Sequence, residues 1–135
     1  MLNGDGPCFC SGGDLGEFGT APDLVTAHFV RTRAGAGRLI HDLGARIEVR
    51  VHGPVIGAGI ELAAFAGTVV ADPGTTFRLP ETSMGLIPGA GGTVSVRRRV
   101  GRLRTAWLAF SGCTIDALTA HDWGLVDEVT DGRPA

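Results

Sequence analysis

Two glutamates stand among residues that do not ordinarily keep a carboxylate company. Glu61 lies in the run Gly59-Ile60-Glu61-Leu62-Ala63-Ala64, apolar on both sides and with no cation nearby in sequence. A carboxylate buried in such a setting has its charged form disfavoured, which is how an acid/base group is tuned. A glutamate in the first turn of a helix also complements the helix dipole from solvent, so this position alone supports both readings. Glu81 follows Pro80 and precedes Thr82-Ser83-Met84-Gly85, and reads equally as an ordinary loop glutamate. Two glycine-rich turns accompany them: Ser11-Gly12-Gly13-Asp14 and Gly57-Ala58-Gly59-Ile60-Glu61. Backbone N–H groups approach a ligand oxygen closely where no side chain obstructs them, and they are unpaired in the first turn of a helix. One donor from each turn would hold a developing oxyanion. Glycine turns more often only turn the chain. Taken together, two carboxylates beside such a pocket suit proton transfer next to a carbonyl and activation of water.

Other chemistries fit poorly. Gly57-x-Gly59 lacks the third glycine of a dinucleotide fingerprint. Glu81-Thr82-Ser83-Met84-Gly85 lacks the leading glycine of a serine nucleophile elbow. There is no lysine, hence neither a Schiff-base amine nor a P-loop lysine. The three cysteines (Cys8, Cys10 and Cys113) and four scattered histidines show no metal-ligand spacing, so no metal is expected. His52, at a strand end, reads as structural; Cys8 and Cys10 read as small hydrophobes flanking Phe9; Trp107 and Trp123 read as core. The run Arg97, Arg98, Arg99, Arg102 and Arg104 reads as a solvated or internally paired helix face, with contact to a phosphate-bearing ligand the lesser alternative.

The elements that must position these groups follow from periodicity. After Leu2 and a turn at Asn3–Gly6 comes a short apolar piece, Pro7–Cys10, then the loop Ser11–Asp14. Pro22-Asp23 starts a helix with apolar residues near helical spacing to Leu43; Gly35 and Gly37 weaken its middle and Gly44 stops it. Ile47, Val49 and Val51 alternate with Glu48, Arg50 and His52, the period of a strand. A helix is expected over 58–66, strands over 68–71 and 76–78, and a glycine-rich loop over 85–92. A basic helix then carries Arg97–Arg99, a second helix runs from about Arg102 to Phe110, and a third covers Asp116–Trp123. Leu125-Val126 begins a last short strand. Strands alternating with helices imply an α/β fold.

The 135 residues fit one domain, with a formal charge of −2, 44% hydrophobic and 19% charged residues. Weak acidity argues against nucleic acid or an anionic membrane as partner. The odd cysteine count and the lack of a visible leader lead us to expect a cytoplasmic protein. The apolar window from Gly53 to Ala71 carries Pro54, several glycines and Glu61, which reads as buried helix and strand, not as a membrane span.

Five blocks in order resemble the enoyl-CoA hydratase/isomerase (crotonase) family: Pro7–Leu15, His52–Ala63, Phe77–Glu81, Gly85–Thr93 and Gly124–Val126. The resemblance runs from about Gly6 to Val129. It implies a crotonase-like spiral of ββα turns over one core domain, 1–135, shortened at both ends relative to the family. It implies an acyl-CoA thioester as substrate, no cofactor beyond that coenzyme A, and a homo-oligomer, trimer or hexamer. By motif position the thioester oxygen would be held by the N–H groups of Gly13 and Ala58, the second often glycine in the family. Two glutamates of the hydratase branch fall on Glu61 and Glu81; Cys10, Gly12, Asp14, Gly57, Leu86, Pro88 and Gly89 fall in the substrate-binding strings. Both glutamates together favour hydration of an enoyl-CoA. An enoyl-CoA isomerase, and a catalytically weak acyl-CoA-binding or structural subunit of a larger assembly, are the alternatives. Without the family's outer parts, a sheet edge and apolar helix surface are expected to be exposed.

Overall fold

Val49 and Val51 are buried while Arg50 is exposed, so the alternation seen in the sequence does make a strand, β1 (Glu48–Val51). Gly53 turns the chain into β2 (Pro54–Ile56), which runs into helix α3 (Ala58–Ala63). The same order then repeats: β3 (Thr68–Ala71), β4 (Thr76–Arg78), a 3-10 turn over Glu81–Met84, and helix α4 (Gly92–Ser111). β1 pairs in parallel with β3, and β2 in parallel with β4, so each ββα unit stacks on the one before it. The beginning of the chain adds a rung to both stacks, Leu2 bridging to Val49 and Cys10 bridging to Val55. Two short strands, β5 (Ile115–Asp116) and β6 (Glu128–Val129), close the stacks, β5 antiparallel to β4 and β6 parallel to β3, with helix α5 (Ala117–Asp122) between them. This computed structural model describes residues 1–132, so the last three residues of the expected domain lie outside it.

The core lies between the two stacks and the helices. Val49, Val51, Val55, Phe77 and Leu79 from the rungs meet Ile60 of α3 and Val96 and Leu108 of α4. Thr75 is buried among them with its hydroxyl donated to the Val51 carbonyl at 3.2 Å, leaving no orphaned polar group there. Arg99 of α4 donates to the carbonyls of Ala64 and Ala66 at 3.1 and 2.7 Å and pairs with Asp127 at 2.9 Å. It satisfies carbonyls just past the end of α3 that the helix itself cannot.

Three expectations need correction. The helix expected from Asp23 to Leu43 is two, α1 (Leu24–Arg33) and α2 (Ala36–Leu43), because Gly35 takes an extended conformation and caps the second. The last strand is Glu128–Val129, not Leu125-Val126; those two are buried instead, after a positive-φ turn at Gly124. Trp107 is 46% exposed, and its edge meets the half-buried Trp123. The two helices expected across residues 92–110 are both present, meeting within α4 at a break at Gly101, where φ is 81°.

Candidate active site

Ile56 and Arg78 are register partners, and the Ile56 N–H donates to the Cys10 carbonyl at 3.0 Å. The segments that leave Cys10, Ile56 and Arg78 therefore emerge side by side from one end of a parallel stack. Those segments carry Gly13, then Ala58 and Glu61, then Glu81. The sheet register, not proximity in sequence, assembles the groups.

Each turn is shaped for this. Gly57 holds φ 53° and ψ −117°, and a methyl group on it would sit 2.8 Å from Oε1 of Glu81. Only glycine fits both the backbone and the carboxylate lying over it. Gly59 lies so close to the first rung that a methyl would come within 2.4 Å of the Cys10 carbonyl oxygen. That contact draws the start of α3 against the loop carrying Gly13. Among the described residues, the N–H groups of Gly13 and Ala58 have no acceptor in the protein. Ala58 is the first residue of α3, where an N–H has no intrahelical partner.

Glu61 sits one turn further along α3 and is 1% exposed. Its Oε2 accepts from the Gly92 N–H at 2.6 Å, at the start of α4, and Ser95 of α4 donates to the Glu61 carbonyl at 2.8 Å. Burial raises the Glu61 pKa; the Gly92 N–H opposes that rise and the nearby Glu81 charge adds to it. Glu81 opens the 3-10 turn, which is tied to α4 by a hydrogen bond from the Thr82 hydroxyl to the Ala109 carbonyl. Burial raises its pKa too, and its Oε2 is buried with no hydrogen-bond partner among the described residues. The two acids are thus differently held. Glu61 has a donor that favours its charged form, whereas Glu81 has an orphaned oxygen that favours its protonated form.

Both acids line one cavity of about 940 Å³. Gly12, Gly13, Gly57, Ala58, Leu86 and Gly89 line it as well. Cys10, Asp14 and Pro88 do not. Cys10 spends its backbone in the rung; Asp14 accepts from the Gly16 N–H at 2.8 Å as the cap of a short 3-10 turn; Pro88 is buried behind the loop. None of the arginines between 97 and 104 reaches the cavity wall, and His52 is held by the Gly6 carbonyl at 3.0 Å. Sequence reasoning passed over Arg31, Arg38 and His41, which do line it. Their place depends on α2 folding back so that Gly37 packs on Phe65 and the Ala90 carbonyl, a contact with no local sequence signal. Among the described residues no helix is long and apolar enough to cross a membrane.

The family model for enoyl-CoA hydratase/isomerase matches residues 1–132. An enoyl-CoA isomerase/hydratase of Mycosarcoma maydis is 33% identical over 98% of this chain and 48% of its own length. A 1,2-epoxyphenylacetyl-CoA isomerase of Escherichia coli is 35% identical over 97% of this chain and 52% of its own. The solved enoyl-CoA hydratase of Mycobacterium smegmatis superposes with a TM-score of 0.83 at 30% identity, covering 93% of this chain and 49% of that one. The chain spans about half the length of the curated relatives it matches. With its stacked ββα units, it belongs to the enoyl-CoA hydratase/isomerase family and has the crotonase fold.

Proposed function

We propose that the chain adds water across the α,β double bond of an enoyl-CoA, with no cofactor besides the coenzyme A of the substrate. The observation that carries this reading is a single cavity walled by two buried glutamates of unlike environment and two unpartnered backbone N–H groups. The Gly13 and Ala58 N–H groups donate to the thioester oxygen, and loss of one such donor costs on the order of 3 kcal/mol of transition-state stabilisation. Glu61, charged and anchored by Gly92, takes a proton from water as the water oxygen bonds to Cβ. The π electrons move toward the carbonyl, and the resulting enolate oxygen is held by the two N–H groups. The carbonyl then reforms as Cα takes a proton from Glu81. Transfer of the proton from Glu61 to Glu81 restores both acids.

Isomerisation of the double bond is the second reading, favoured by the enoyl-CoA isomerase/hydratase name of the Mycosarcoma maydis relative and by the lone orphaned oxygen of Glu81. An acid that both removes and returns a carbon-bound proton needs no activated water. Hydration of crotonyl-CoA, followed as loss of the conjugated enoyl thioester absorbance, tests the first reading. Turnover that depends on both glutamates supports it. Shift of a 3-enoyl-CoA to its 2-enoyl isomer without hydration would overturn it in favour of the second.

A further inference from the structure

The lining of the cavity carries both acidic and basic side chains. Glu61 and Glu81 are the acids of its lining, and the basic side chains Arg31, Arg38 and His41 all come from α1 and α2. Arg38 pairs with Asp42 on its own helix at 3.9 Å with both side chains mostly exposed, which neutralises little. Arg31 has no ion-pair partner among the described residues. Its guanidinium lies against the loop before α4, where a methyl on Gly89 would sit 3.3 Å from the Arg31 nitrogen. The same loop ends in Gly92, whose N–H holds Glu61. Arg31 and Glu61 thus bear on the same loop, one at Gly89 and the other at Gly92. Leu62, Phe65, Leu86 and Ile87 add apolar surface to the same lining.

An acyl chain bound with its thioester oxygen on Gly13 and Ala58 passes its Cα and Cβ between the glutamates. We propose that its remaining carbons run along an apolar strip of Leu62, Phe65, Leu86 and Ile87 and that Arg31 recognises a carboxylate at the far end of the acyl group, so that the preferred substrates are CoA thioesters of dicarboxylic acids. This rests on the acyl-CoA reading above, but not on hydration. A guanidinium facing a carboxylate forms two parallel charge-assisted hydrogen bonds, whereas a plain alkyl end leaves it in water and gains nothing from it. The methylene segment of such a substrate is served by the apolar strip.

The test is equilibrium binding of three non-reacting probes to the 135-residue chain: adipoyl-CoA, hexanoyl-CoA and free coenzyme A. Adipoyl-CoA should bind about tenfold tighter than hexanoyl-CoA. In Arg31→Gln that advantage should fall to about twofold or less, with hexanoyl-CoA and coenzyme A unchanged, and Arg31→Lys should recover part of it. Arg31 is exposed on a helix with no buried residue, so both variants should fold, and unchanged melting curves verify that. Equal binding of the two acyl probes by the unaltered chain would overturn the proposal while leaving the acyl-CoA reading intact. Equal weakening of all three probes in Arg31→Gln would overturn it in favour of contact with the coenzyme's phosphates. Failure of every probe to bind would sink both readings together.

Discussion

Glu61 and Glu81 show how two identical side chains acquire different tasks from their surroundings. Burial pushes both pKa values up, but the Gly92 N–H restrains the rise at Glu61 and no comparable donor reaches Oε2 of Glu81. Replacing Glu81 by Gln keeps the shape and removes the transferable proton. Hydration of crotonyl-CoA should fall by roughly 10²–10⁴-fold while affinity for a saturated acyl-CoA survives, and turnover near the unaltered level would refute the assignment. Stability should move the other way. A carboxyl whose folded pKa is raised stabilises the fold fully below the ordinary carboxylate range, and that contribution is lost as pH rises through the raised value. Glu81→Gln should therefore melt above the unaltered protein at pH 8, where it removes a buried charge, with the gap closing by pH 4. A gap that instead widens toward low pH would mean that Glu81 is stabilised as a carboxylate. Glu61 was legible because a lone acid in an apolar helix is a local anomaly. Arg31 was not, since nothing beside it in sequence shows that α1 and α2 turn back over the reaction centre.

The elements deliver these groups through register. Cys10, Val55 and Phe77 share one stack of rungs, so the segments after them leave from the same end. The strands were readable from alternation and the glycine stops, and the break at Gly101 from the gap between two helical patterns. Their pairing was not, because parallel rungs are set by contacts between residues twenty or more positions apart, and periodicity is silent about those. The same blindness explains the Cys10, Asp14 and Pro88 assignments. A motif string marks a stretch of chain, but in an extended rung or a capped turn only some of its residues face the cavity. Gly59 is where register and chemistry meet, and it gives a sharp test. A methyl there would press within 2.4 Å of the Cys10 carbonyl, so Gly59→Ala must push α3 away from the first rung. The overpacking should cost about 1–3 kcal/mol in chemical denaturation. Separation of the Ala58 and Gly13 N–H groups should lower the hydration rate by about 10²-fold. Gly74, where a methyl meets nothing within 4 Å, is the control, and Gly74→Ala should change neither quantity appreciably. Equal effects from both variants would mean that close approach at Gly59 does not govern the site.

At the scale of the molecule, one buried core coexists with helices that keep large apolar side chains in water. The rungs, α3 and the first half of α4 bury a continuous cluster, yet the second half of α4 leaves Leu103 and Phe110 each 79% exposed, and α5 leaves Leu118 70% exposed. α1 adds Leu24 at 89% and Val25 at 78%. Single exposed hydrophobics are common on any surface, but this many on three helices is apolar area that water disfavours. Burying that area between copies of the chain would be favourable. Because the apolar groups belong to regular helices, covering them requires no rearrangement of the site. We therefore expect the mass measured by sedimentation equilibrium to rise with concentration, and the paired substitution Leu103→Glu with Phe110→Glu to return it toward one chain. Those positions make no core contact, so the melting temperature should shift only by the amount typical of surface changes, within about 0.5 kcal/mol per site. A chain that stays at the monomer mass across the concentration range, and whose surface binds no hydrophobic dye, would show that these helices are content in water. Loss of the crotonyl-CoA reaction in the paired variant, with folding preserved, would instead mean that association completes the catalytic cavity.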